Sequence, residues 1–261
     1  MSNSRTVVNR LHYMSKDSIS RFFVYLIFTI LFLPVFLVEG NAQGYTFGLK
    51  GGGTLAFQQW NSFQRDPLFG FHGDLLFETL DEEDRNCLFA TVGYHQRGAA
   101  LRYRFNNGGL LSPLVASKFL FHNISVTIGA RQKFYFSEVL KYFYSVGIRG
   151  EYTVDTNLDD YAEFNEVNRS LFFPDNSFVN RVTAGLTISG GVQYHISELS
   201  SIIVELSVMP DVTRQYFQEP IPNVRDPFTG QNRDIPAREI RNISIELSVG
   251  LRFLNKYIYI D

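Results

Sequence analysis

A single cysteine, Cys87, in a chain of 261 residues leaves no partner for an internal disulfide and excludes a metal site built on several thiolates. It opens an alternating stretch, where a buried and inert thiol is the expected reading. Charge of one sign is equally scarce. The 24 Lys and Arg and 26 Asp and Glu leave a net charge of -2, and no basic cluster supplies the field that a nucleic acid needs. There is no phosphate-cradling loop, no zinc signature, and no Ser or Asp tied by a motif to any of the five His. Cofactors, metals, catalytic residues and small-molecule substrates are therefore expected to be none. Helical periodicity is missing except in one apolar run, residues 22–38. It follows Lys16 and Arg21 and precedes the small residues Gly40, Asn41 and Ala42. That is the pattern of a cleavable secretory signal over residues 1–43, cut near Ala42 or Gln43. Pro34 interrupts the run, which is also short for spanning, so a retained membrane helix is the weaker reading. Residues 14–21 make a conventional charged start, and translation is expected to begin at Met14.

What the chain has in quantity is aromatic residues, 25 Phe and 14 Tyr, set in long alternating stretches. The stretch around which the others are organised is residues 182–209. Val182, Ala184, Leu186, Ile188, Val192, Tyr194 and Ile196 alternate with Thr183, Gly185, Thr187, Ser189, Gly191, Gln193 and His195. After a polar turn at 197–200, Ile202, Val204, Leu206 and Val208 alternate with Glu205 and Ser207. A period of two over this length means that one face meets an apolar medium and the other something polar. The same pattern recurs over residues 44–57, 68–80, 87–103, 118–136, 142–155 and, most cleanly, 241–253. Together these make eight strands. Three connections are short (81–86, 137–141, 197–200) and the four between them are long. The last long one, 213–237, carries Pro220, Pro222, Pro227 and Pro236, which bar ladder pairing over most of it.

Two architectures share this pattern. A soluble lipocalin-like barrel turns its apolar face inward, around a ligand; a transmembrane barrel turns it outward, to lipid. Here the polar face carries Lys50, His72, Asp74, Glu78, Arg97, Arg131, Lys133, Arg149, Glu151, Glu205, Glu246 and Arg252 among many Gly, Ser and Thr. Small residues beside long charged ones make sense where space is limited, as inside a narrow barrel. Tyr142, Tyr152, Tyr194 and Phe253 lie near strand ends on the apolar face, as interfacial girdles do. The expected fold is all-β: an eight-stranded antiparallel up-and-down transmembrane β-barrel over residues 44–261, in the outer membrane of a Gram-negative cell, with both termini periplasmic. Eight strands leave a lumen that side chains fill, so Lys50, Asp74, Glu78, Arg97, Arg131, Lys133, Arg149, Glu151, Glu205, Glu246 and Arg252 are expected to form an internal charge network rather than a pore.

The acidic residues Asp155, Asp159, Asp160, Glu163 and Glu166 lack the spacing of a calcium loop. The last long connection presents Tyr216, Phe217, Arg225, Phe228 and Arg233, either as a surface for a protein partner or as an inert cover over the barrel mouth. Three short motifs, Gly48-Leu49-Lys50-Gly51-Gly52, Gly70-Phe71-His72-Gly73 and Tyr94-His95-Gln96-Arg97-Gly98, resemble the PorT-type outer-membrane barrel family of Bacteroidota, and the Asn41-Ala42-Gln43 end of the signal resembles secreted proteins of that phylum. The resemblance implies a cofactor-free barrel, some members of which are accessories of type IX secretion and gliding. The long proline-bearing loop and the tail beyond Phe253 depart from that family's pattern. A non-enzymatic barrel touching membrane lipid and other envelope or secretion proteins is the leading expectation. A small passive pore or transporter is the second and a lipid-directed barrel enzyme the third.

Overall fold

The computed structural model describes residues 44–60, 66–80, 84–103, 106–107, 110–111, 115–169, 173–226 and 230–256. The expectations for the signal and for Met14, and the placement of Phe228, lie outside these residues. Eight long strands make the wall: β1 (Gly44–Trp60), β2 (Leu68–Leu80), β3 (Asn86–Tyr103), β4 (Val115–Tyr135), β5 (Leu140–Thr156), β6 (Val182–His195), β7 (Ser200–Pro210) and β8 (Arg238–Lys256). Each pairs antiparallel with its neighbours in the chain. The first strand pairs with the last from Gly44↔Lys256 to Trp60↔Ile240, which closes the sheet and leaves it no open edge.

The burial pattern settles which side is wet. Residues on the apolar face are exposed, for example Leu49 at 62% and Ile148 at 69%, whereas Arg97 and Lys133 on the polar face are at 0% and 1%. In water this would be an inside-out protein. It is stable only where an apolar solvent surrounds the wall, so the chain folds as a transmembrane β-barrel and not as a lipocalin-like one. On β4 the outward face is free of charge from Phe134 to Ile124, and on β5 from Tyr142 to Tyr152. Each stretch is about ten residues, the length a tilted strand needs to cross a bilayer.

Glycine inside the wall has a definite task at this diameter. The Phe143 ring lies over Gly191, where a Cβ would come within 2.7 Å of its Cζ, and the Phe89 ring lies against Gly129 and Gly147 in the same way. These two rings, with Leu76 and Ile203, form a small apolar layer within an otherwise polar lumen.

The strands run past the membrane at the long-connection end, β4 being 21 residues long. There the inward face becomes apolar. Phe119 and Phe121 pack against Leu158 and Phe173, with Leu101, Tyr161, Phe164 and Val179 around them. Asn157 fixes this segment by accepting from the Leu120 N–H and donating to the Lys118 carbonyl, at 2.7 and 2.8 Å. The segment also holds a helix, Ala162–Asn168, too short for its periodicity to be legible in sequence and ended by Arg169 at φ 47°.

The prolines of the last connection do not suppress pairing as far as expected. Tyr216–Gln218 extends the ladder on β8, and Ile221–Arg225 pairs with Asn232–Ile235. Pro222 is tolerated because the register shifts between Ile221 and Val224, with Asn223 at φ 60°, so no ladder N–H is required of it.

Candidate functional site

The lumen is filled by an ionic lattice, built strand by strand from inward positions. At the short-turn end Glu78 accepts from Arg131 at 2.5 Å, Lys133 at 3.1 Å and Arg252 at 2.8 Å. Asp84, in the β2–β3 turn, takes Lys133 at 2.9 Å and Lys141 at 2.5 Å. Arg131 also donates to Glu205 at 2.5 Å, and its guanidinium lies 4.2 Å from the Phe143 ring centre. This stacking lets the cation cross the apolar layer. Lys50 then bonds Glu205 at 2.7 Å.

Deeper toward the long loops, His95 sits between two carboxylates, Asp74 at 3.0 Å and Glu246 at 2.8 Å. Both ring nitrogens thus face acceptors, a geometry that a doubly protonated imidazole satisfies. His72 stacks on His95 with 5.6 Å between ring centres and bonds Thr54 and Ser248. The last layer holds Arg97, 2.8 Å from Glu151 and 3.2 Å from Asp211, with Arg149 beside both carboxylates. Arg149 Nε lies 3.0 Å from Glu151 Oε1 but is not aligned as a hydrogen bond, so this contact is purely coulombic. Asn242 donates to Asp211 at 2.8 Å and to Gln215 at 2.5 Å.

All eleven charges expected in the lumen are buried there and paired. Three further members, Asp84, Lys141 and Asp211, sit at or beyond strand ends, where alternation gives no face. Asp84 lies outside the membrane span. Burial alone would raise its carboxyl, but the charges of Lys133 and Arg252 and the hydrogen bonds from Lys141 and Lys133 hold it below the ordinary value of 3.8. A carboxylate lowered by folding contributes stability that is present above its unfolded pKa and is lost as pH falls through the lower, folded one. The folded barrel is therefore expected to weaken below about pH 4. Urea midpoints of the heat-modifiable band across pH 3 to 6 should show this drop, and it should shrink in Asp84→Asn.

The residues expected to make a sticky loop surface do not stay together. Tyr216 is a correction: it is fully buried, at 0%, and its hydroxyl bonds Gln218 at 3.1 Å. Burial pushes its phenol up to about 12. Alternation failed here because the segment re-enters the ladder on β8. Phe217 is half-buried, with Arg214 over its ring, Arg233 pairs with Asp226 at 3.2 Å, and Arg225 is exposed. Among the described residues no group of His, Cys, Asp and Glu is placed to hold a metal ion.

A closed eight-stranded transmembrane barrel with a packed ionic lumen is the class that these features define. No family model and no curated protein matches the chain. Among solved structures, Neisserial surface protein A is similar at 14% identity over 81% of this chain and 97% of its own, with a TM-score of 0.40. The outer membrane protein OprG of Pseudomonas aeruginosa is similar at 11% identity over 83% and 99%, with a TM-score of 0.49. The outer membrane protein W of E. coli is similar at 15% identity over 82% and 100%, with a TM-score of 0.33. Likeness at this level carries nothing about activity, and the fold rests on the ladder described above.

Proposed function

We propose that this protein is a non-enzymatic barrel of a Gram-negative outer membrane, with both termini periplasmic. It serves as a structural element or as an accessory of an envelope or secretion assembly, and works through its long-loop end. The observation that supports this reading is the lattice from Asp84 to Asp211, in which buried cations and carboxylates of strands not adjacent in the wall bond one another across the lumen. A pore of useful conductance would need these pairs separated, at several kcal/mol for each buried ion left without its partner. Beyond the membrane the wall is backed by the packed cluster of Phe119, Phe121, Leu158 and Phe173, a base on which a partner could dock. The PorT-type resemblance agrees with an accessory role of this kind.

Planar-bilayer recording tests the reading directly. The protein is expected to insert without single-channel steps in 1 M salt. Regular open-channel steps from heat-modifiable protein would replace this proposal with the passive pore.

A further inference from the structure

On the outer wall the apolar band ends at the long-loop side in an uneven way. Gln96, His122 and Asp155 are partners in register across three adjacent strands, Gln96↔His122 on β3 and β4 and His122↔Asp155 on β4 and β5. Gln96 points outward because His95 and Arg97 on either side of it face the lumen, and Asp155 is exposed. Each is the first polar side chain beyond the membrane-crossing stretch of its strand. Tyr94 lies just below, its hydroxyl bonded to Nδ1 of His122 and its ring 5.6 Å from that of Phe71. This bond fixes the imidazole and leaves Nε2 without a hydrogen-bond partner among the described residues. Further up the same face of β4, the exposed Lys118 makes no ion pair among the described residues. On neighbouring β2 the band ends instead in the apolar Phe69, 81% exposed.

We propose that Gln96, His122 and Asp155, with Tyr94 beneath and Lys118 beyond, bind the headgroup of a phosphorylated glycolipid of the outer leaflet, whose acyl chains lie along Phe71, Ile124 and Tyr152. The height decides for a lipid, since the polar row borders the apolar band. The mixture of groups decides the headgroup. Lys118, His122 Nε2 and the Gln96 amide donate to phosphate oxygens, while the Asp155 carboxylate accepts from sugar hydroxyls. Phosphatidylethanolamine can match Asp155 with its ammonium, but its single phosphate cannot serve both His122 and Lys118, which lie four residues, about 13 Å, apart along β4. The inference rests on the outer-membrane placement proposed above.

The test is native mass spectrometry of the full chain, released from nanodiscs of phosphatidylethanolamine doped with diphosphorylated lipid A. Folding is checked for each variant by heat-modifiable mobility. Wild type is expected to keep lipid A in preference to phosphatidylethanolamine. His122→Leu should weaken retention roughly ten-fold, the worth of one charge-assisted hydrogen bond. Lys118→Gln, beyond the apolar band and harmless to folding, should weaken it in the same direction. Equal retention by wild type and both variants, or equal retention of the two lipids, would overturn the site. Stripping of the bound lipid by millimolar inorganic phosphate would also overturn it, by showing a free-anion site. Failure of wild type to enter nanodiscs in its heat-modifiable form would instead defeat the membrane placement on which the site depends.

Discussion

Glu78→Leu is expected to lower the stability of the folded barrel by about 3 to 5 kcal/mol, because it strands buried cations rather than deleting a contact. Glu78 is itself buried, and Arg131, Lys133 and Arg252 all converge on it. With that carboxylate gone, Lys133 and Arg252 keep only Asp84 and Arg131 keeps Glu205, so the layer carries one uncompensated charge in a narrow lumen. Folded proteins are commonly stable by only about 5 to 15 kcal/mol, so a loss of this size takes a large share. Urea titration of the heat-modifiable form in vesicles should show a much lower midpoint. Glu78→Gln, which keeps an acceptor but no charge, should fall between. A midpoint matching that of Glu163→Gln, an exposed helix position, would mean that water already compensates these ions, and the closed-lumen reading would fall with it.

The second large effect is steric. Gly191→Val places a Cβ 2.2 Å from the Val204 carbonyl oxygen and 2.7 Å from the Phe143 ring. The carbonyl belongs to the adjacent strand and cannot retreat without breaking the β6–β7 ladder. The ring is held between the wall and the Arg131 guanidinium. Overpacking a tight site costs about 1 to 3 kcal/mol, and more where backbone must move. Refolding yield of Gly191→Val into lipid vesicles is therefore expected to be near zero, whereas Gly150→Val, at an outward position with open space around it, should refold like wild type. Normal refolding of Gly191→Val would show that the ring and strand are free to shift, against the packed lumen described here.

Strand positions and their faces were legible in the sequence because a closed barrel with lipid on one side and ions on the other enforces a strict period of two. The wall residues from Lys50 to Arg252 obey it. Legibility failed wherever the period slipped. The register shift between His122 and Asn123 brings Asp155 into line with His122, so the outer-wall polar row does not show in any one strand. Asp84 and Asp211 enter the lattice from strand ends, and their depth depends on how neighbouring strands are staggered, which no single strand encodes. A lipid-directed barrel enzyme is the third expectation from the sequence, which shows no constellation for it on the outer wall or in a loop. The row at Gln96, His122 and Asp155 does place polar groups on the outer wall, and the proposal made for them is binding.

The apolar cluster around Phe119, Phe121, Leu158 and Phe173 bears on how the barrel stays in place. With the termini periplasmic, as proposed above, these side chains bury one another on the far side of the bilayer and come together only after β4 and β5 have crossed. To slide back, the chain would have to dismantle this knot and drag the Asn157 and Tyr161 contacts with Lys118 through hydrocarbon. The cluster acts as the head of a rivet, formed last and on the opposite face of the sheet of lipid it fastens, so that leaving the membrane is slower than entering it.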